Sequence, residues 1–125
     1  MITKTGSTYR VLIYMSGPIE IAKQVLRKYC LKGLCVTIEP TTFIYTGCEE
    51  TGFVVGLLNY PRFPSTCYKL NRQGYEIMNE LLVATCQHSG LLVTPDDSTW
   101  ISIRPENETT NVIKKHEEAD YVPAR

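Results

Sequence analysis

Two stretches with apolar residues at helical spacing, each enclosed by runs of β-branched and aromatic residues, constrain this chain more than any other feature. Ile21, Val25, Leu26 and Tyr29 form the first apolar face, and Leu70, Ile77, Met78, Leu81, Leu82 and Cys86 form the second. Spacings of three and four residues place such side chains on one face of a helix, while strict alternation belongs to strands. The enclosing runs are Tyr9–Met15, Cys35–Thr46, Phe53–Tyr60, Leu91–Thr94 and Thr99–Arg104. Their order is β-α-β-β-α-β with one further strand. This predicts an α+β fold, a ferredoxin-like antiparallel sheet with two helices on one face, extended by a C-terminal strand or hairpin.

Turn-forming residues punctuate the pattern. Ser16-Gly17-Pro18 stops the first strand, and proline suits a helix start because its missing N–H has no helical partner there. Gly33 suits the end of that helix, and Ser65 is the expected cap of the second. Pro40 denies its strand a backbone donor, which predicts an edge position or a bulge. Gly47 to Gly52 reads as a polar turn joining the second and third strands. Alternation along the second strand sends Thr37, Phe43 and Tyr45 to the face away from the core. Apolar groups on such a face call for a subunit, a further element or a ligand to cover them.

With 125 residues there is room for one domain, expected over residues 9–104, behind a frayed stretch of residues 1–8. Residues 105–125 mix acids with Asn and Thr, and this composition predicts a flexible polar tail, with at most a short surface helix over Asn111–Asp120. Charge cancels overall, with 13 cations against 13 anions. Residues 1–72 nonetheless hold nine cations and four anions, and the remainder reverses those counts. A zero total disfavours a general nucleic-acid binder, and the third strand lacks the basic, glycine-flanked aromatic motif of a base-stacking module. No apolar run nears the roughly 20 residues that span a bilayer, so no membrane role and a cytoplasmic location are expected.

The five cysteines, at positions 30, 35, 48, 67 and 86, include no close pair. A structural zinc site is disfavoured, and reduced, mostly buried thiols are the expectation. Glu49 and Glu50 beside Cys48 argue against an activated nucleophile there, and as neighbours in a turn they read as solvated groups rather than an acid–base pair. Asp96 and Asp97 lack the further ligands of a calcium loop, and His88 and His116 have no partner histidine. There is no G-x-S-x-G, no Walker loop and no G-x-G-x-x-G. On these grounds no catalytic residue, metal or cofactor is assigned.

Asn59-Tyr60-Pro61-Arg62-Phe63-Pro64 is the least ordinary stretch. Two prolines stiffen it, and Tyr, Arg and Phe suit binding surfaces. The candidate binding residues are Asn59, Tyr60, Arg62 and Phe63, with Tyr45, Trp100 and Arg104 on the sheet. The resulting expectation is a small non-enzymatic protein that binds another protein, as an inhibitor or adaptor of the kind a phage encodes. A homodimer or higher oligomer would form through the exposed sheet. The alternative is a dimeric module that holds a nucleotide or other anionic small ligand through Arg62, Tyr60 and Arg104.

Overall fold

A computed structural model describes residues 1–104. The expected tail, its surface helix and His116 lie outside the described residues. The elements are β1 (Arg10–Ser16), α1 (Ile19–Tyr29), β2 (Val36–Tyr45), β3 (Cys48–Leu58), α2 (Cys67–Ala84), β4 (Ser89–Val93) and β5 (Ser98–Ser102). The five strands form one antiparallel sheet in the order β2-β3-β1-β4-β5. The architecture is therefore α+β, and β5 makes the order differ from a simple four-stranded ferredoxin-like sheet.

Period-2 alternation divides the sheet into two unlike faces. Val11, Ile13 and Met15 of β1, Phe53, Val55 and Leu57 of β3, and Leu92 of β4 point to the helices and are buried. Leu70, Ile77, Met78, Leu81 and Leu82 of α2 and Ala22, Leu26 and Tyr29 of α1 close the core from the other side. Tyr29 also ties the helices together, its hydroxyl donating to Glu76 at 2.5 Å while Lys32 lies 4.2 Å from its ring. Burial, followed by the carboxylates of Glu76 and Glu80, pushes that hydroxyl well above the usual tyrosine range.

Several local expectations are corrected. The joint between β2 and β3 is the short turn Thr46-Gly47, in which Gly47 takes φ +73°, so Cys48, Glu49, Glu50 and Thr51 belong to β3 rather than to a turn, and they are exposed as expected. The α2 cap is Thr66, whose hydroxyl accepts from the Lys69 amide at 3.1 Å, and not Ser65. Cys86 does not end the apolar face of α2. It stands beyond the helix with φ +57° and is exposed, while Cys30, Cys35 and Cys67 are half-buried and Cys48 is exposed. The thiols are free but not mostly buried. Among the described residues, no helix is long and apolar enough to cross a membrane.

Candidate functional site

No helix covers the second sheet face, on which Leu12, Tyr14 and Ser16 of β1 alternate with the core residues. Register fixes their neighbours there: Tyr14 pairs with Val54 on β3 and Leu91 on β4, and Leu91 pairs with Trp100 on β5. On the other flank, Phe43 of β2 pairs with Glu50, and Tyr45 with Cys48. Paired residues of antiparallel strands share a face, so aromatic rings from β1, β2 and β5 rise from the same surface.

Small residues lower the floor between those rings. Ser16 pairs with Gly52, and Ser89 and Gly90 lie at the start of β4. Gly52 is required by close approach: a Cβ there would stand 2.1 Å from the Met15 carbonyl oxygen and 2.7 Å from the Phe43 ring. The result is an open cavity of about 340 Å³ to which all five strands contribute, with Tyr14, Phe43, Tyr45 and Trp100 as walls and Ser16, Glu50, Ser89 and Leu91 among its lining.

Glu50 is its one carboxylate. Tyr45 lies diagonally across from it, and its hydroxyl donates a short hydrogen bond to Glu50. That bond, followed by hydrogen bonding from Ser16, holds the Glu50 carboxyl below the usual carboxylate range. Hydrogen bonds to Cys48 and then to Glu50 push the Tyr45 hydroxyl up in turn. The phenol is therefore a neutral donor and the carboxylate a charged acceptor at neutral pH. Ring faces can stack a nucleobase or meet a cation, and a carboxylate accepts from hydroxyl or ammonium groups.

A second groove, of about 360 Å³, lies where α1 leaves edge strand β2 uncovered and is lined by Leu26, Cys30, Leu34, Val36 and Ile38. Lys23 and Arg27 are its only charged lining groups, and Lys23 is paired with Glu20 at 3.2 Å. We take the open-face cavity as the site because aromatic and ionised groups converge in it. Among the described residues, no cluster of three or more His, Cys, Asp or Glu side chains is placed to hold a metal.

The sequence-derived candidates separate into three groups. Tyr45 and Trp100 meet in the cavity. Asn59, Tyr60, Arg62 and Phe63 follow the Leu58 end of β3, beside Arg10, at the opposite end of the sheet. Arg104 follows β5 at the cavity end but is not among the lining residues. Arg62, Tyr60 and Arg104 therefore do not form a common anion site. Asn59 serves the fold, donating to the Ser7 carbonyl at 2.7 Å and accepting from the Ser65 amide at 2.9 Å. Tyr60 and Phe63 face each other at 6.0 Å across a tight turn.

No family model matches this sequence, and no curated protein does. Among solved structures, a phage SAM lyase in the apo state aligns with a TM-score of 0.61, over 84% of this chain and 98% of its own, at 12% identity. The fold is similar to that of an enzyme. A phage SAM lyase in complex with S-methyl-5'-thioadenosine aligns with a TM-score of 0.54, over 82% of this chain and 95% of its own, at 11% identity. These neighbours overturn the expectation of a non-enzymatic inhibitor or adaptor, which had rested on this fold together with the lack of a catalytic motif.

The sequence reading sends Phe43 to the open face without naming it as a binding residue, reads Glu50 as a solvated turn group, and assigns no site role to Tyr14 or Ser16. Glu50 was assigned to a turn, and the signal that would have recovered it is the alternation running unbroken from Glu50 through Gly52 and Val54. Once Glu50 is placed in a strand, it shares a face with Phe43 and Tyr45.

Proposed function

We propose that this protein is an enzyme acting on S-adenosylmethionine, releasing S-methyl-5'-thioadenosine at the open-face cavity. The likeness to phage SAM lyases along nearly their whole length supports this reading, and the observation that carries it to a place is the cavity of aromatic walls around an ionised carboxylate. Tyr14, Phe43, Tyr45 and Trp100 offer stacking faces for the adenine ring, a contact worth about 1–3 kcal/mol per base. Glu50 accepts hydrogen bonds from the polar groups of the ligand, with the Tyr45 hydroxyl holding it in place.

The chemistry explains why no acid–base pair is needed. The sulfur of S-adenosylmethionine bears three carbons and a positive charge. Breaking its bond to the amino-acid chain returns the electron pair to sulfur, which leaves as a neutral thioether without a proton from any acid. A lyase adds no water, so the fragment's own carboxylate oxygen attacks the carbon that leaves sulfur, closing a five-membered lactone as the C–S bond breaks, with no proton gained or lost. What remains for the protein is to hold and orient the cation, a task for which rings and one carboxylate suffice.

We read the β2-β3-β1-β4 portion as the ferredoxin-like part of the sheet, with β5 added so that Trp100 completes the site. Residues 9–104 form the working domain, and the place of action is the cytoplasm, where the substrate is found. The test is direct. Purified protein incubated with S-adenosylmethionine below saturation should generate S-methyl-5'-thioadenosine in proportion to enzyme, resolved by chromatography. The double variant Phe43→Ala/Trp100→Ala should slow this at least 10-fold. Absence of product with the folded wild-type protein would end the proposal.

A further inference from the structure

Cys30 and Cys35 are separated in sequence, and the fold brings them to one groove. Cys30 caps α1, Cys30–Lys32 make a tight 3-10 turn, and Gly33 follows with a left-handed φ of +97°. The Gly33 amide donates to the Cys30 carbonyl at 3.0 Å, which reverses the chain and sets Cys35 just before β2. Both thiols are free and half-buried, and both line the groove of about 360 Å³ between α1 and β2. The Val36 amide lies beside the Cys30 thiol, and that amide is joined to Cys35 by its own peptide bond. Cys48, Cys67 and Cys86 belong to other parts of the fold, and none of them lines this groove.

We propose that Cys30 and Cys35 are a paired modification site, which takes up an oxidising low-molecular-weight disulfide and closes into one intramolecular disulfide beside the groove. The proposal is independent of the reading of the open-face cavity, which lies on the other side of the sheet. The exchange proceeds in two displacements. The Cys35 thiolate attacks one sulfur of glutathione disulfide, forming a mixed disulfide and releasing one glutathione thiolate. Cys30 then attacks the Cys35 sulfur, and the second glutathione leaves. Two protein thiols are oxidised, one glutathione disulfide is reduced, and both protons pass to the glutathione thiols. Burial, followed by the charge of Cys35, pushes the Cys30 thiol up, so Cys30 is the poorer first nucleophile and serves as the resolving thiol. In the mixed disulfide Cys35 carries no charge, so one of the two influences that hold Cys30 protonated is gone. Excess glutathione reverses the exchange, and the pair thereby reports the thiol–disulfide balance around the protein.

Peptide mapping tests this on the full chain. Trypsin cuts after Lys28, Lys32 and Arg62, which separates Cys30 on residues 29–32 from Cys35 on residues 33–62. Cys48 falls on the second peptide and is exposed, so Cys48→Ser is the background used. After equilibration with glutathione and glutathione disulfide and alkylation of free thiols, the two peptides should be recovered joined. The equilibrium constant for closure should be about 10-fold higher in folded protein than in urea. By linkage, the oxidised protein should resist unfolding by that same factor, about 1.4 kcal/mol. Adding Cys30→Ser should leave one glutathione held on Cys35. Glutathione adducts without joined peptides would overturn the proposal, and so would closure no more favourable in the folded protein than in urea.

Discussion

The two faces of the sheet are built from the same five strands and share almost nothing else. On the covered face Val11, Ile13, Phe53, Val55 and Leu57 are 0% exposed, sealed by two helices. On the open face Tyr14 and Phe43 are half-buried, while Trp100 remains 54% exposed. Alternation puts neighbours in sequence into opposite environments, so β1 contributes Ile13 to the core and Tyr14 to the cavity one residue later. Core burial and cavity lining are therefore separable in this protein at single-residue resolution. Mutations can show whether that separation holds.

The largest expected effect is on the covered face. Phe53→Ala should cost about 3–5 kcal/mol by lost burial and the cavity left behind, read from urea unfolding. A loss under 1 kcal/mol would mean that the helix-covered face is not the core. At the edge of that core, Thr66→Ala removes the α2 cap, with an expected cost of about 1 kcal/mol in the same measurement.

Tyr29→Phe breaks the hydrogen bond between α1 and α2, with an expected loss of about 1 kcal/mol at neutral pH. It also carries a pH signature. Burial and the Glu76 contact raise the Tyr29 hydroxyl, so the folded protein keeps that proton where the unfolded chain has lost it. The stability this supplies is complete below the unfolded value of about 10 and declines as pH rises from there toward the folded value. The wild type should accordingly lose stability more steeply above pH 10 than Tyr29→Phe. Equal slopes would remove the hydroxyl from the account.

Smaller still is the effect expected on the open face. Phe43→Ala should leave unfolding within about 1 kcal/mol of wild type while weakening S-methyl-5'-thioadenosine binding several-fold, because a partly solvated ring contributes less burial than a core ring. A stability loss matching that of Phe53→Ala would erase the contrast between the faces. Arg62→Ala, at the far end of the sheet, should alter neither unfolding nor product formation measurably, since exposed substitutions usually stay within about 0.5 kcal/mol. Loss of product with Arg62→Ala would restore the Asn59–Pro64 stretch as part of the site.

Much of the covered face was legible along the chain. Leu70, Ile77, Met78, Leu81 and Leu82 declare a helix face by spacing alone, and the second strand declares its alternation from Val36 to Tyr45. The site was legible only in fragments. Tyr45 and Trp100 stood out as aromatics on strands, yet they are separated by 54 positions, and nothing local says that β2 and β5 send rings to one cavity. Glu50 was hidden by its neighbours, because Gly47, Cys48, Glu49 and Gly52 imitate a loop, whereas Gly47 alone makes the bend with Thr46. Arg62 and Arg104 illustrate the reverse error. Their chemistry suits an anion, but strand direction sends them to opposite ends of the sheet.

By itself, then, the sequence determined the number and type of elements and most residues of the core, because periodicity and turn chemistry act over a few residues; Ile21 and Cys86, read onto the apolar helix faces, are exposed, and Ala22 is the buried residue beside Ile21. Tertiary structure alone decided which aromatics met on the open face and that a single carboxylate would stand among them. Those outcomes depend on strand order and register, set by long-range pairing, and a shift of one residue would have turned Glu50 and Phe43 toward the helices.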